Sequence, residues 1–160
     1  MKKVDVAILM GSKSDFPIME EAAKILKEFG VSYDIRVLSA HRTPKETCEY
    51  AEKFRAQGGK IFICGAGVSA ALAGVVSAHT TLPVIGVPID AALNGLDALL
   101  STVQMPPGVP VAGVAIGKGG SKNAGLLAVR ILSLSDSSLE KKLDNYREKM
   151  RQDILGTKLE

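Results

Sequence analysis

Val4-Asp5-Val6-Ala7-Ile8-Leu9-Met10-Gly11-Ser12-Lys13-Ser14-Asp15 decides the fold of this chain. A run dominated by Val, Ile and Leu meets a Gly-Ser turn, and a helical pattern begins at once. Over about 15–29, Ile18, Ala22, Ile25, Leu26 and Phe29 recur at three- to four-residue spacing, with Pro17 in the first turn. Ser14 or Asp15 is the predicted N-cap and Gly30 the stop. A strand that is apolar at nearly every position is buried on both faces, the habit of parallel strands covered by helices.

The same strand, turn and helix recur down the chain. Apolar runs rich in Val and Ile lie at 33–38, 60–64, 83–88 and 109–116, each followed by Gly, Ser or Pro. A second helix, about 44–57, opens on a predicted capping box, Thr43-x-x-Glu46, with Pro44 first in the helix, and ends at Gly58-Gly59. Further helices are expected over about 68–79, 95–104 and 121–133. The alternation predicts an α/β fold, a flavodoxin-like three-layer sandwich built on a five-stranded parallel sheet. No repeat, low-complexity tract or linker divides the chain, so 1–160 reads as one domain. Its last element, about 136–155, is an appended amphipathic helix that aligns Leu139, Leu143, Tyr146, Met150 and Ile154 in one stripe and must dock on something.

Composition narrows the function. The 160 residues carry a net charge of +3, but the cations are scattered among acids, and four Phe and three Tyr leave no aromatic surface interleaved with a basic stripe. Nucleic-acid binding is not expected. No apolar span approaches the roughly 20 residues of a membrane helix, and the N-terminus reads as a strand instead of a signal peptide. Cys48 and Cys64 stand apart from each other and from metal-spaced histidines, so neither a metal site nor a disulfide is suggested. The cytoplasm is the expected compartment.

In an open parallel sheet, ligands bind beyond the carboxyl ends of the strands. Three loops there are unusually polar or small: Gly11-Ser12-Lys13-Ser14-Asp15, Ser39-Ala40-His41-Arg42-Thr43-Pro44 and Gly65-Ala66-Gly67. The first offers hydroxyls and a carboxylate suited to a ribose or phosphate, although helix capping alone accounts for the same residues. In the second, His41 can move a proton near neutrality and Arg42 can grip an anion, against the alternative of a solvated loop histidine. The glycines of the third permit a ligand close to the backbone, or a tight strand-to-helix turn. Gly117-Lys118-Gly119-Gly120-Ser121 lacks the spacing of a nucleotide-triphosphate loop. His79 is read as a helix C-cap, Cys64 as core, and neither cysteine as a nucleophile.

These loops, with Leu93-Asn94-Gly95-Leu96-Asp97 and Ser101-Thr102-Val103-Gln104-Met105-Pro106, closely resemble the N5-carboxyaminoimidazole ribonucleotide mutase family in order and spacing over about 4–133. The resemblance implies conversion of N5-carboxyaminoimidazole ribonucleotide to 4-carboxy-5-aminoimidazole ribonucleotide, in purine biosynthesis, without metal or organic cofactor. It implies His41 as general acid and base, Ser12 and Asp15 at the ribose-phosphate end and Arg42 on the phosphate. Ser14 and Ser39 would assist, and the backbone at Ala66 and Gly67 would face the base. It also implies a homo-octamer with sites at subunit boundaries, Gln104-Met105-Pro106 lining a neighbour's site and the tail helix holding the assembly.

The third loop departs from the family's Gly-Ala-Gly-Gly-Ala-Ala-His-Leu-Pro-Gly. Here it reads Gly65-Ala66-Gly67-Val68-Ser69-Ala70-Ala71-Leu72-Ala73-Gly74, with Ala71 at the second histidine's place and Ala73 at the proline's. The segment Val87–Leu93 is one residue shorter than usual. A related carboxylase, which takes carbon dioxide and the uncarboxylated ribonucleotide, is the main alternative; its motifs read Ala-His-Lys and Gly-Arg-Ser-Asn, and Arg42 with Gly67-Val68 favours the mutase. A flavodoxin-like module that binds flavin or a protein partner is a second alternative, for which few aromatics are available.

Overall fold

The computed structural model describes residues 4–158. Five strands, β1 (Val6–Met10), β2 (Tyr33–Val37), β3 (Ile61–Gly67), β4 (Val84–Ile89) and β5 (Ala112–Gly113), form one sheet in the order β2-β1-β3-β4-β5, and every pair is parallel. Helices α1 (Phe16–Phe29), α2 (Pro44–Phe54), α3 (Leu72–Ala78), α4 (Leu96–Val103), α5 (Gly117–Ser133) and α6 (Ser137–Leu155) complete the chain. The architecture is the expected flavodoxin-like α/β sandwich with an appended C-terminal helix.

Two apolar clusters, one on each face, hold the three layers together. On one face Val6, Ile8, Met10, Ile61, Ile63 and Ile85 pack against Met19, Ala22 and Leu26 of α1 and Ala124, Ala128 and Val129 of α5. On the other, Ala7, Leu9, Phe62 and Cys64 meet Ala51 and Phe54 of α2 and Leu72 and Val76 of α3. Alternate residues of one strand thus feed opposite layers. α1 and α5 approach closely because Gly125 has no side chain: a Cβ there would lie 2.9 Å from the Ile25 Cβ and 3.0 Å from the Ala22 carbonyl oxygen.

Several expected boundaries move. β3 continues through Gly65-Ala66-Gly67, so these residues are a strand end and not a loop. Gly65 serves packing, since its missing Cβ leaves room for the Met19 thioether of α1. α3 starts at Leu72 instead of 68, because Val68 takes a left-handed conformation, φ 56°, that no helix can include. α5 starts earlier than expected, at Gly117. β5 shrinks from 109–116 to two residues, and Pro110, within that run, has no N–H to give a ladder. β2 is an edge strand whose Arg36 and Val37 are exposed, not buried on both faces.

The capping box predicted at Thr43 is absent, since the Thr43 side chain makes no bond to the helix N-terminus. A capping box forms instead between Ser12 and Asp15, around a 3-10 turn, Lys13–Asp15, that leads into α1. His79 does end α3, its N–H donating to the Val76 carbonyl, and its Nδ1 lies 3.0 Å from Glu52 Oε1. α6 is capped by Asp136 and docked by Leu139, Leu143 and Tyr146, but Met150 and Ile154 of the same stripe are exposed. No helix among the described residues is long and apolar enough to cross a membrane.

Candidate active site

The chain leaves β1 for β2 on one side and returns past β1 to β3 on the other, so its direction along the sheet reverses between β1 and β3. Loops after strands that wind in opposite directions diverge, and a crevice opens between them. A cavity of about 430 Å³ lies there, a size suited to a small organic ligand. Gly11, Ser12, Ser14 and Asp15 line it from the loop after β1, Ser39, Ala40, His41 and Arg42 from the loop after β2, and Ala66 and Gly67 from the end of β3. The cavity therefore brings together all the residues proposed from sequence for catalysis and binding.

Each loop is shaped by its own hydrogen bonds. In the first, the Ser12 N–H donates to Asp15 Oδ2 at 2.9 Å, while the Ser14 N–H and hydroxyl donate to Ser12 Oγ at 3.4 and 3.0 Å. Asp15 thus turns back toward Ser12 and leaves the start of α1 without a side-chain cap. Burial is the largest influence on its carboxyl and pushes its pKa above the ordinary value, against the opposing pull of the Ser12 N–H, Ser14 and the Arg42 charge.

The second loop is a closed turn. The Thr43 N–H donates to the Ser39 carbonyl at 2.9 Å, the Ser39 N–H donates to Thr43 Oγ1 at 2.8 Å, and that hydroxyl donates back to the Ser39 carbonyl at 3.1 Å. Thr43 spends its hydroxyl backward on Ser39, which is why it does not cap α2. The buried Ser39 Oγ accepts from the Arg42 N–H and Nε at 3.2 and 3.4 Å, and an Arg42 terminal nitrogen donates to the Gly11 carbonyl. That bond stitches the second loop to the first. His41 sits at the tip of the turn, exposed, and its imidazole bonds to no other described residue. Both ring nitrogens are open to a ligand.

The remaining wall is apolar or small: Val68, Ser69, Ala71, Leu72 and Ala91. Of these, Ala71 stands where the family's second histidine would, and Leu72 and Ala91 are wall residues that the sequence motifs do not single out. Their side chains carry no chemistry that a sequence reading would select; their position at the carboxyl ends of β3 and β4 was the available signal. The lining thus combines hydroxyls, a carboxylate, a guanidinium and an exposed imidazole with alkyl groups. Such a lining can hold a ligand that joins an anionic, hydroxylated part to a flat or apolar group.

Comparison with known proteins accords with this arrangement. The pattern of the AIR carboxylase family matches residues 5–153. The N5-carboxyaminoimidazole ribonucleotide mutase of Saccharolobus solfataricus is 54% identical over 156 residues, covering 97% of this chain and 98% of that protein. The Bacillus subtilis protein of the same name is 56% identical over 151 residues, covering 94% and 93%. The crystal structure of Treponema denticola PurE superposes with a TM-score of 0.85 at 37% identity, covering 94% of this chain and 93% of that one. Near-complete coverage at such identity, on the same fold, leads to one conclusion: the chain belongs to the AIR carboxylase family, alongside the N5-carboxyaminoimidazole ribonucleotide mutases that it matches at about half of all aligned positions.

Proposed function

We propose that this protein is an N5-carboxyaminoimidazole ribonucleotide mutase and that the cavity between β1 and β3 is its active site. The observation that carries the proposal is the meeting, in one cavity, of the Ser12–Asp15 loop and the Ser39–Arg42 turn in a chain of this family. Ser12, Ser14 and Arg42 bind the phosphate, Asp15 accepts from the ribose, Ser39 holds Arg42, and the Ala66-Gly67 backbone faces the imidazole ring of the substrate. His41 carries the proton. When the carbamate N–C bond breaks, carbon dioxide departs and the exocyclic nitrogen takes a proton from His41; when carbon dioxide bonds to C4, that carbon returns its proton to His41. The imidazole ends as it began, and no oxidant or phosphoryl donor enters the balance.

Supplying purified protein with N5-carboxyaminoimidazole ribonucleotide, with and without bicarbonate, tests this reading. Product in the absence of bicarbonate is expected; strict dependence on bicarbonate would assign the carboxylase reaction instead.

The same reading includes assembly into a homo-octamer with sites completed at subunit boundaries. Leu93, Leu96, Leu100 and Val103 recur along one side of α4 and the turn before it, all exposed, and Met150, Ile154 and Leu155 are exposed on α6. An apolar surface of that extent on a protomer supports burial against further copies. Native mass spectrometry reads the number directly, and a monomer at micromolar concentration would overturn the assembly proposal.

A further inference from the structure

His41 is held differently from its neighbours in the cavity. Asp15 accepts from the Ser12 N–H, and Arg42 is tied to Ser39 Oγ and to the Gly11 carbonyl, but the imidazole bonds to no other described residue. Its placement therefore rests on the backbone of the turn that carries it. One side chain closes that turn twice: Thr43 Oγ1 accepts from the Ser39 N–H at 2.8 Å and donates to the Ser39 carbonyl at 3.1 Å. These bonds run beside the Thr43 N–H bond to the same carbonyl, and together they join the two residues that flank Ala40, His41 and Arg42. The buried Thr47 hydroxyl donates to the Thr43 carbonyl at 2.8 Å and fastens the closed turn to α2. Thr43 itself does not line the cavity.

We infer that Thr43 is a positioning residue for the proton transfer: its hydroxyl clamps the ends of the turn together and so holds the His41 imidazole in one place on the cavity lining. The inference rests on the mutase reading above, in which His41 carries the proton. Proton transfer needs the two heavy atoms within about 2.6–3.2 Å of each other, and a displacement of about 1 Å costs on the order of a hundredfold in rate. Arg42 keeps a second anchor outside the turn, at the Gly11 carbonyl, and His41 has none. Opening the turn therefore harms the proton-transfer step more than the grip on the anionic end of the substrate.

The test compares Thr43→Val and Thr43→Ala, which lack the hydroxyl, with Thr43→Ser, which keeps it. Each is assayed on N5-carboxyaminoimidazole ribonucleotide without bicarbonate, with its melting temperature measured alongside. In Thr43→Val and Thr43→Ala kcat should fall about 10- to 100-fold while KM changes less than about threefold, and Thr43→Ser should restore kcat. In a His41→Asn background Thr43→Val should cost nothing further, because a residue that acts through the imidazole has no role once the imidazole is gone. Nitrogen-15 relaxation at the His41 amide, without substrate, should show lower order in both hydroxyl-free variants than in wild type. A kcat near wild type in either folded hydroxyl-free variant, a loss confined to KM, an additive loss in the double variant, or unchanged order at His41 would overturn the inference. Product formation by wild type only when bicarbonate is present would remove the mutase reading and leave the relaxation result standing, so the two fail separately.

Discussion

His41 is exposed and its imidazole has no partner among the described residues, so replacing it costs the fold little and isolates the proton-carrier role proposed for it. His41→Asn is expected to lower kcat by about 10²- to 10⁴-fold, the range that a positioned acid or base contributes. Its unfolding free energy should stay within about 0.5 kcal/mol of wild type in urea titrations. Turnover near the wild-type rate would remove His41 from the chemistry. Asp15 behaves differently, because burial raises its carboxyl pKa. A carboxyl so shifted favours the folded state when protonated: its contribution is complete below the unfolded-state pKa and is lost as pH rises through the folded-state value. Asn keeps an oxygen that can accept from the Ser12 N–H and carries no charge. Asp15→Asn should therefore raise the melting temperature more at pH 7 than at pH 3, a contrast that equal shifts at both would contradict. Both residues were legible in the sequence because their chemistry stands out in a loop. The left-handed backbone of Val68 was not, since nothing in a valine announces a positive φ.

At the scale of elements, packing and turn geometry set different limits on small residues. Gly125→Ala forces a methyl group toward Ile25 and the Ala22 carbonyl, and is expected to cost about 1–3 kcal/mol, measured by urea unfolding. Val68→Gly should do the reverse and stabilise the fold by about 1 kcal/mol, because glycine accepts the left-handed conformation that a β-branched residue resists. A loss of stability at position 68 would mean that the alkyl contacts outweigh the backbone strain. Apolar periodicity was enough to read α1, α2 and the buried strands β1, β3 and β4. It failed at 109–116, where the run is apolar but only Ala112 and Gly113 pair with β4 and Pro110 has no N–H to give, and at 65–67, where small residues suggested a loop while the sheet still supplied partners. It also placed a capping box at Thr43, because spacing records which residues can cap a helix and not where a hydroxyl finds a nearer acceptor.

Over the whole molecule, the division between buried and exposed apolar surface points outward. Leu139 is buried against the α1 and α5 face, and Lys142 Nζ donates to the Phe29 carbonyl at 2.8 Å, so the first half of α6 belongs to the protomer. In the second half Met150, Ile154 and Leu155 are exposed. Replacing Leu96 and Leu100 together by Glu should leave the protomer's circular dichroism intact and lower the mass of the proposed octamer in sedimentation; unchanged mass would clear α4 of a role in association. The sequence by itself determined the βα alternation, the parallel sheet and the polar loops at its carboxyl edge, because periodicity, caps and turn residues act over a few neighbours. The tertiary structure decided what those loops share: the reversal of winding between β1 and β3, the bond from Arg42 to the Gly11 carbonyl, and a cavity whose lining adds Val68, Leu72 and Ala91 to Asp15 and His41. Groups from loops some 25 residues or more apart in sequence meet only when the sheet fixes which strands are adjacent, and no local pattern encodes that distance.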